Sequence, residues 1–281
     1  MKTCQAQIIN GRQMAARIKY NLKNKVAKLK IKPGLAIILV GKNPASEIYV
    51  KLKEKAAQEV GINFRKYLLP ARTKLIKLTK LIKDLNKDRN IHGIVVQFPL
   101  PKNLDADKIV EAIEPKKDVD GFHPTNIQLL KKGRARLIPG VLAGIIKLLE
   151  STKVNLKNKK CVILSNCQIF AAPLAFLLEQ KKLRTKIIYP PFHSIKKSLG
   201  LADVIISAVG RPQFIKGNMI KRGSILLDVG FSRLKGAAVG DFDFASCVEK
   251  ADYITPVPGG VGPMTVAMLL FNVLKAYEIQ K

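Results

Sequence analysis

The sequence predicts an α/β protein made of two successive α/β domains. Three observations carry this. Segments with apolar residues at helical spacing alternate with short apolar runs of strand length. Those runs are apolar at consecutive positions, as strands of a parallel sheet covered on both faces must be. The alternation breaks in a polar loop and a basic stretch near mid-chain and then begins again. The chain has 281 residues, enough for two domains with cores of their own.

Residues 8–29 place Met14, Ile18, Leu22, Val26 and Leu29 at helical spacing, and residues 34–40 read as a buried strand. Residues 44–60 predict a helix with Asn43 as cap, Pro44 at its first position and Gly61 as its stop. A strand over 64–69, a helix over 74–85 and a strand over 93–98 complete a β-α-β-α-β order. A helix over 106–113 leads into the polar loop 115–124. The basic stretch 131–136 and a helix over 141–148 then mark the expected boundary between domains at 1–138 and 139–264. The second domain reads as strand 161–164, helix 173–178, strand 186–189, helix 195–199 and strands 204–208 and 224–229, the order of a dinucleotide-binding fold. The last helix, 261–279, follows the Gly/Pro-rich segment 255–265.

Composition excludes several classes. At 47% hydrophobic residues the chain is no disordered polycation, despite 50 Lys+Arg against 20 Asp+Glu and a formal charge of +30. The cations are 39 lysines and 11 arginines, scattered over 19–32, 74–87, 153–160 and 181–197, with no Trp and few aromatic residues among them. Base and phosphate readout favours the planar fork of Arg, so the charge reads as a Lys-rich surface and no specific nucleic-acid partner is expected. Cys4, Cys161, Cys167 and Cys247 fit no close-paired spacing and the three His are dispersed, so no protein-built metal site is expected. With no apolar run of eighteen residues and no apolar signal core at the start, the expectation is a soluble cytoplasmic protein without a membrane partner.

Four places stand out for chemistry. Tyr49 and Lys53 lie one turn apart on the helix that follows the first internal strand. They are either part of a solvated face, beside Lys51 and Lys55, or an acid/base pair at a strand's carboxyl end, where sites collect. Gln97 is the polar end of an apolar strand: a loop start, or a hydrogen-bond partner above the same sheet edge. Asp118 and Asp120 sit in a Pro-bounded loop, as turn formers or as a carboxylate for a bidentate donor pair. The run Pro258-Gly259-Gly260-Val261-Gly262 is either a connector or a backbone that a ligand can approach closely.

Together, Gly41 to Lys53, Val95-Val96-Gln97-Phe98-Pro99-Leu100-Pro101, Pro115 to Asn126 and Thr255 to Thr265 resemble the signatures of the bifunctional methylenetetrahydrofolate dehydrogenase / methenyltetrahydrofolate cyclohydrolase family, in order and over nearly the whole chain. The resemblance implies an N-terminal catalytic domain, a Rossmann-like NADP-binding domain, a folate cleft between them, a C-terminal helix at 265–281 returning to the catalytic domain, and a homodimer. It implies oxidation of 5,10-methylenetetrahydrofolate with NADP and hydrolysis of the methenyl product to 10-formyltetrahydrofolate. By motif position Lys53 is the catalytic lysine, Gln97 its tuning partner and Tyr49 the neighbour of the folate ring. Asp120 is the carboxylate that holds the pterin; Val96 and Pro258 to Gly262 (Gly259, Gly260 and Val261 included) complete the substrate contacts. Ser165, Asn166, Cys167 and Phe231 fall at the cofactor positions.

That cofactor motif is altered. The family's Gly-Arg-Ser, followed by Val-Gly and a Pro, reads here as Ser165-Asn166-Cys167 and Phe170-Ala171-Ala172-Pro173. Two glycines and the arginine expected at the cofactor's 2′-phosphate are gone, while Ser207 to Pro212 and Asp228-Val229-Gly230 keep the pattern. A monofunctional cyclohydrolase, or a decayed basic protein binding nucleic acid or a partner, are the alternatives.

Overall fold

The structure is a computed structural model that describes residues 5–193 and 195–281; Cys4 lies outside them. The chain falls into two compact units, Ala15–Gly140 with Val266–Lys281, and Val141–Thr265 with the N-terminal segment through Met14.

In chain order the elements are β1 (Gln7–Ile8), α1 (Gly11–Ala27), β2 (Gly34–Val40), α2 (Pro44–Val60), β3 (Asn63–Leu69), α3 (Leu75–Lys87), β4 (Gly93–Gln97), α4 (Ala106–Glu111), α5 (Pro124–Lys131), α6 (Gly140–Ser151), β5 (Lys160–Ser165), α7 (Gln168–Gln180), β6 (Arg184–Ile188), α8 (Ile195–Leu199), β7 (Val204–Ala208), β8 (Ile225–Asp228), β9 (Ser232–Leu234), β10 (Ala237–Val239), α9 (Phe244–Val248), β11 (Tyr253–Ile254) and α10 (Val261–Ile279).

The unit around Ala15–Gly140 is built on a three-stranded parallel sheet, ordered β3-β2-β4. Every residue of β2 is buried. Its alternate side chains serve two cores: Leu35, Ile37 and Leu39 pack with α1, α2 and the second part of α10, and Ala36, Ile38 and Val40 with α3 and α4. α2 is bounded as its sequence requires. The Asn43 side chain accepts the Ser46 N–H at 3.0 Å, and Gly61 takes the left-handed conformation at φ 81°.

The other unit carries a six-stranded sheet, β1-β11-β8-β7-β5-β6, in which every pairing is parallel. β5, its first long strand, lies between β6 and β7. The chain therefore leaves β5 in opposite directions, and the carboxyl ends of β5 and β7 form the switch point where such sheets bind ligands.

Several expectations are corrected. The first helix begins at Gly11, after a two-residue strand that pairs with β11, so the N-terminal segment clusters with Val141–Thr265 and not with the N-terminal domain expected at 1–138. α7 starts at Gln168 and runs through Pro173, which was expected to open it. Proline lacks the N–H that would reach Ile169 O, and this break in the ladder falls in the first turns of α7, where Ile169 is 57% exposed. α5, α9 and the β9–β10 hairpin were not foreseen.

Candidate active site

On α2 the buried positions Val50, Lys53, Ala57 and Val60 form one stripe against the core. Lys53 occupies a place in that stripe where a purely structural helix would carry an apolar residue. It is 6% exposed, while Lys51 and Lys55 face solvent, so the solvated-face reading of Lys53 is ruled out. Strand alternation puts Val95 and Gln97 on the α2 side of the sheet and turns Val96 into the opposite core. The Val96 side chain is thus packing, and only its backbone remains to meet a ligand.

Lys53 Nζ donates to Gln97 Oε1 at 2.8 Å. Gln97 Nε2 donates in turn to the carbonyl of Phe98 at 2.8 Å, which fixes the amide with its oxygen toward the lysine. Ser46 Oγ donates to the same carbonyl at 3.1 Å, tying the start of α2 to the end of β4. Burial holds the Lys53 amine below the ordinary lysine range, and the negative charge of Asp120 opposes that shift. Burial also raises the Tyr49 phenol, which keeps it neutral. The half-buried Tyr49 and Asp120 leave this corner partly open.

The two aspartates of the loop have separate tasks. Asp118 is buried and accepts the N–H of Gly121 at 3.0 Å, the N–H of His123 at 2.8 Å and Asn126 Nδ2 at 2.9 Å. Burial raises its carboxyl above the usual range, against the pull of these donors. Gly121 holds φ 87°, and a Cβ there would lie 2.6 Å from Pro139 N, so the turn needs glycine. Asp118 is thus spent on shaping the loop, whereas Asp120 is half-buried. Ser46 and Asn126 were not singled out from sequence; the signal for Asn126 lies in its place two residues inside the short α5, whose start caps the loop.

In the six-stranded unit, Ser165 ends β5 and its Oγ accepts the Cys167 N–H at 3.1 Å. Asn166 Nδ2 donates to Val209 O at 3.2 Å, across to the end of β7. Cys167 caps α7 without a side-chain hydrogen bond, and Ala171 N is the first amide of that helix to reach back, to Cys167 O. The amides of Gln168, Ile169 and Phe170 are therefore free for an anion at the switch point, which fits the diphosphate of a dinucleotide. Phe231, 45% exposed, follows β8 at the same sheet edge. Pro258 to Gly262 also belong to this unit: Gly259 has φ 119° and its carbonyl accepts the Arg12 N–H at 2.8 Å, and Val261 opens α10. The two groups of expected residues are thus divided, with Tyr49, Lys53, Val96, Gln97 and Asp120 in the three-stranded unit and the rest in the six-stranded one.

Beside this edge two buried carboxylates stitch the loops. Asp228 accepts the N–H groups of Gly230, Asp241 and Phe242, each at 3.0 Å. Asp241 accepts from Ser207 Oγ at 2.7 Å and from the N–H groups of Val209 and Arg211. Burial, aided by the Asp241 charge, pushes the Asp228 carboxyl up to about 7. Its folded pKa exceeds the unfolded value near 3.8, so the folded state holds the extra proton between those values and stability falls as pH rises from about 4 to 7. The difference is worth about 4 kcal/mol at most. Urea denaturation of wild type and Asp228→Asn at pH 5 and pH 8 should show wild type losing ground to the variant with rising pH; a pH-independent gap would refute the shift.

A sheet of parallel strands carrying a buried lysine–amide pair, and a second whose switch point suits a dinucleotide, define a two-unit α/β enzyme that joins proton transfer to redox chemistry. The family models described as "Tetrahydrofolate dehydrogenase/cyclohydrolase, catalytic domain" and "Tetrahydrofolate dehydrogenase/cyclohydrolase, NAD(P)-binding domain" match residues 9–120 and 139–281. The chain is 44% identical over 275 residues to "Bifunctional protein FolD" of Geotalea daltonii, covering 96% of this chain and 98% of the relative. It is 42% identical to the protein of that name from Acetivibrio thermocellus over 280 residues, 98% of each. Among solved structures, the bifunctional FolD enzyme of Campylobacter jejuni superposes with a TM-score of 0.95 at 40% identity, covering 98% of this chain and all of that one. The Trypanosoma brucei enzyme, complexed with NADP cofactor and inhibitor, gives 0.93 at 34% identity and covers 98% of each. The chain belongs to the tetrahydrofolate dehydrogenase/cyclohydrolase family.

Proposed function

We propose that this chain oxidises 5,10-methylenetetrahydrofolate to the 5,10-methenyl cation and hydrolyses that cation to 10-formyltetrahydrofolate, with Lys53 as the proton-transfer group of the hydrolysis. The observation that carries the assignment is the buried Lys53 Nζ held 2.8 Å from Gln97 Oε1, with the Asp120 charge acting on it. NADP, when bound, takes the hydride that leaves the one-carbon bridge. Hydrolysis needs more from the protein. As water adds to the methenyl carbon it must lose a proton, and an amine whose pKa burial has lowered gives up its own proton more readily and so can accept this one. Collapse to the formyl group breaks the bond to N5, which needs a proton as it leaves; the other proton of the water goes to solvent. Gln97 holds the amine in place through both transfers. Asp120 accepts two adjacent N–H donors of the pterin, and Tyr49 lies against the ring with its phenol neutral.

The Ser165 to Cys167 loop and the free amides of α7 hold the diphosphate in this reading. Phe231 packs by the cofactor in the same reading. A homodimer in the cytoplasm is part of the same reading; among the described residues no helix is long and apolar enough to cross a membrane. Purified protein given the methenyl compound, and separately the methylene compound with NADP, tests it by absorbance of the methenyl species. Both reactions are expected. Hydrolysis without any NADP-linked oxidation would leave the monofunctional reading, which the loss of the motif arginine at Asn166 favours.

A further inference from the structure

We propose that Arg211 recognises the phosphate on the adenosine ribose of NADP and thereby sets the preference for NADP over NAD. The proposal rests on the cofactor assignment above and adds the residue that makes the choice. Residues 165–173 contain no cation, and Asn166, at the motif's arginine position, has its amide turned to Val209 O. The selecting charge must come from elsewhere.

In a sheet of this order the adenosine ribose meets the end of the second strand, about twenty residues beyond the phosphate turn. A carboxylate there binds the bare 2′-hydroxyl and selects NAD, whereas a cation there admits the 2′-phosphate. Here the second strand is β6, which ends at Ile188, and Tyr189, Pro190, Pro191, Phe192 and His193 follow with no carboxylate among them. Arg211 reaches that loop from the end of β7, the other neighbour of β5. Its Cζ lies 5.4 Å from the centroid of Phe192 and 5.4 Å from that of Phe214, and the two rings are 5.9 Å apart. The two rings thus hold the cation between the loop after β6 and the segment after β7, where the guanidinium fork can take a phosphate. The backbone beneath is fixed as well, because the Arg211 N–H donates to the buried Asp241 at 2.9 Å. Arg211 itself is exposed, so an aromatic seat presents an accessible, oriented cation at the ribose end of the fold.

The test is equilibrium binding, read by NADPH fluorescence and by calorimetry with NADP and NAD at fixed ionic strength. Wild type should prefer NADP. Arg211→Ala should weaken NADP about ten- to a hundredfold, the worth of one charge-assisted contact, and change NAD less than about threefold. Arg211→Lys should fall between, since it keeps the charge but loses the fork. Lys196→Ala, which removes an exposed cation without a ring seat, should change NADP binding less than about threefold. Equal losses for both cofactors in Arg211→Ala would mean a structural role, and equal losses in Lys196→Ala would mean a diffuse surface field; either overturns the proposal, as does an unchanged NADP affinity in Arg211→Ala. If wild type binds neither dinucleotide, the cofactor assignment falls too. Methenyl hydrolysis, which depends on Lys53 in the other unit, serves as the check that each variant is folded.

Discussion

Lys53→Met is expected to lower enzyme-dependent hydrolysis of 5,10-methenyltetrahydrofolate about 10²- to 10⁴-fold, the usual contribution of a positioned general acid–base group. The substitution suits the site. Met fills the stripe of Val50, Ala57 and Val60 with an apolar chain of similar length and removes a buried amine, so the helix should be no less stable than in wild type. What it deletes is the proposed proton-transfer group, together with the donor to Gln97 Oε1. A folded variant that hydrolyses the methenyl compound at the wild-type rate, after subtraction of the uncatalysed reaction, would remove Lys53 from the mechanism.

The largest expected effect on stability falls at Asp118. Asp118→Ala would strand the N–H groups of Gly121 and His123 and the Asn126 amide in a buried loop. Each unsatisfied donor costs about 1–3 kcal/mol; less the desolvation that Asp118 itself imposes, the loss should be on the order of 3–5 kcal/mol. Asp120→Ala, two residues away and half-exposed, should leave stability within about 1 kcal/mol and instead weaken folate binding. Urea denaturation of the two variants, followed by circular dichroism, checks the contrast. Similar losses in both would mean that the loop does not divide its carboxylates as described.

Much of this organisation is written locally. β2 and α2 begin and end where the apolar run, the Asn43 cap and Gly61 place them, because each boundary is set by residues within a few positions of it. The pairing of β1 with β11 is of another kind: two-residue strands show no periodicity, and Gln7 meets Tyr253 only through the tertiary fold. The β9–β10 hairpin turns at Lys235 and Gly236 between short segments without an apolar alternation, and α5, only eight residues long between the polar loop and the basic stretch, is too short to show a helical period. At the site, the spacing of Tyr49, Lys53, Gln97 and Asp120 suggested chemistry but left a solvated face open. Burial removes the solvated face for Lys53, whose amine meets Gln97. The separate duties of Asp118 and Asp120 depend on which carboxylate the loop's own donors capture, and sequence alone does not rank the two.

The central claim is a division of labour, in which Lys53 serves the hydrolysis and the oxidation draws on the NADP-binding unit. Its most direct test is a progress curve of methenyl absorbance with 5,10-methylenetetrahydrofolate and saturating NADP. Wild type should show the methenyl species only transiently, as oxidation feeds hydrolysis. Lys53→Met should accumulate it while NADPH continues to form, because loss of hydride requires no proton transfer at the lysine. A variant curve that rises and decays like that of wild type would contradict the account.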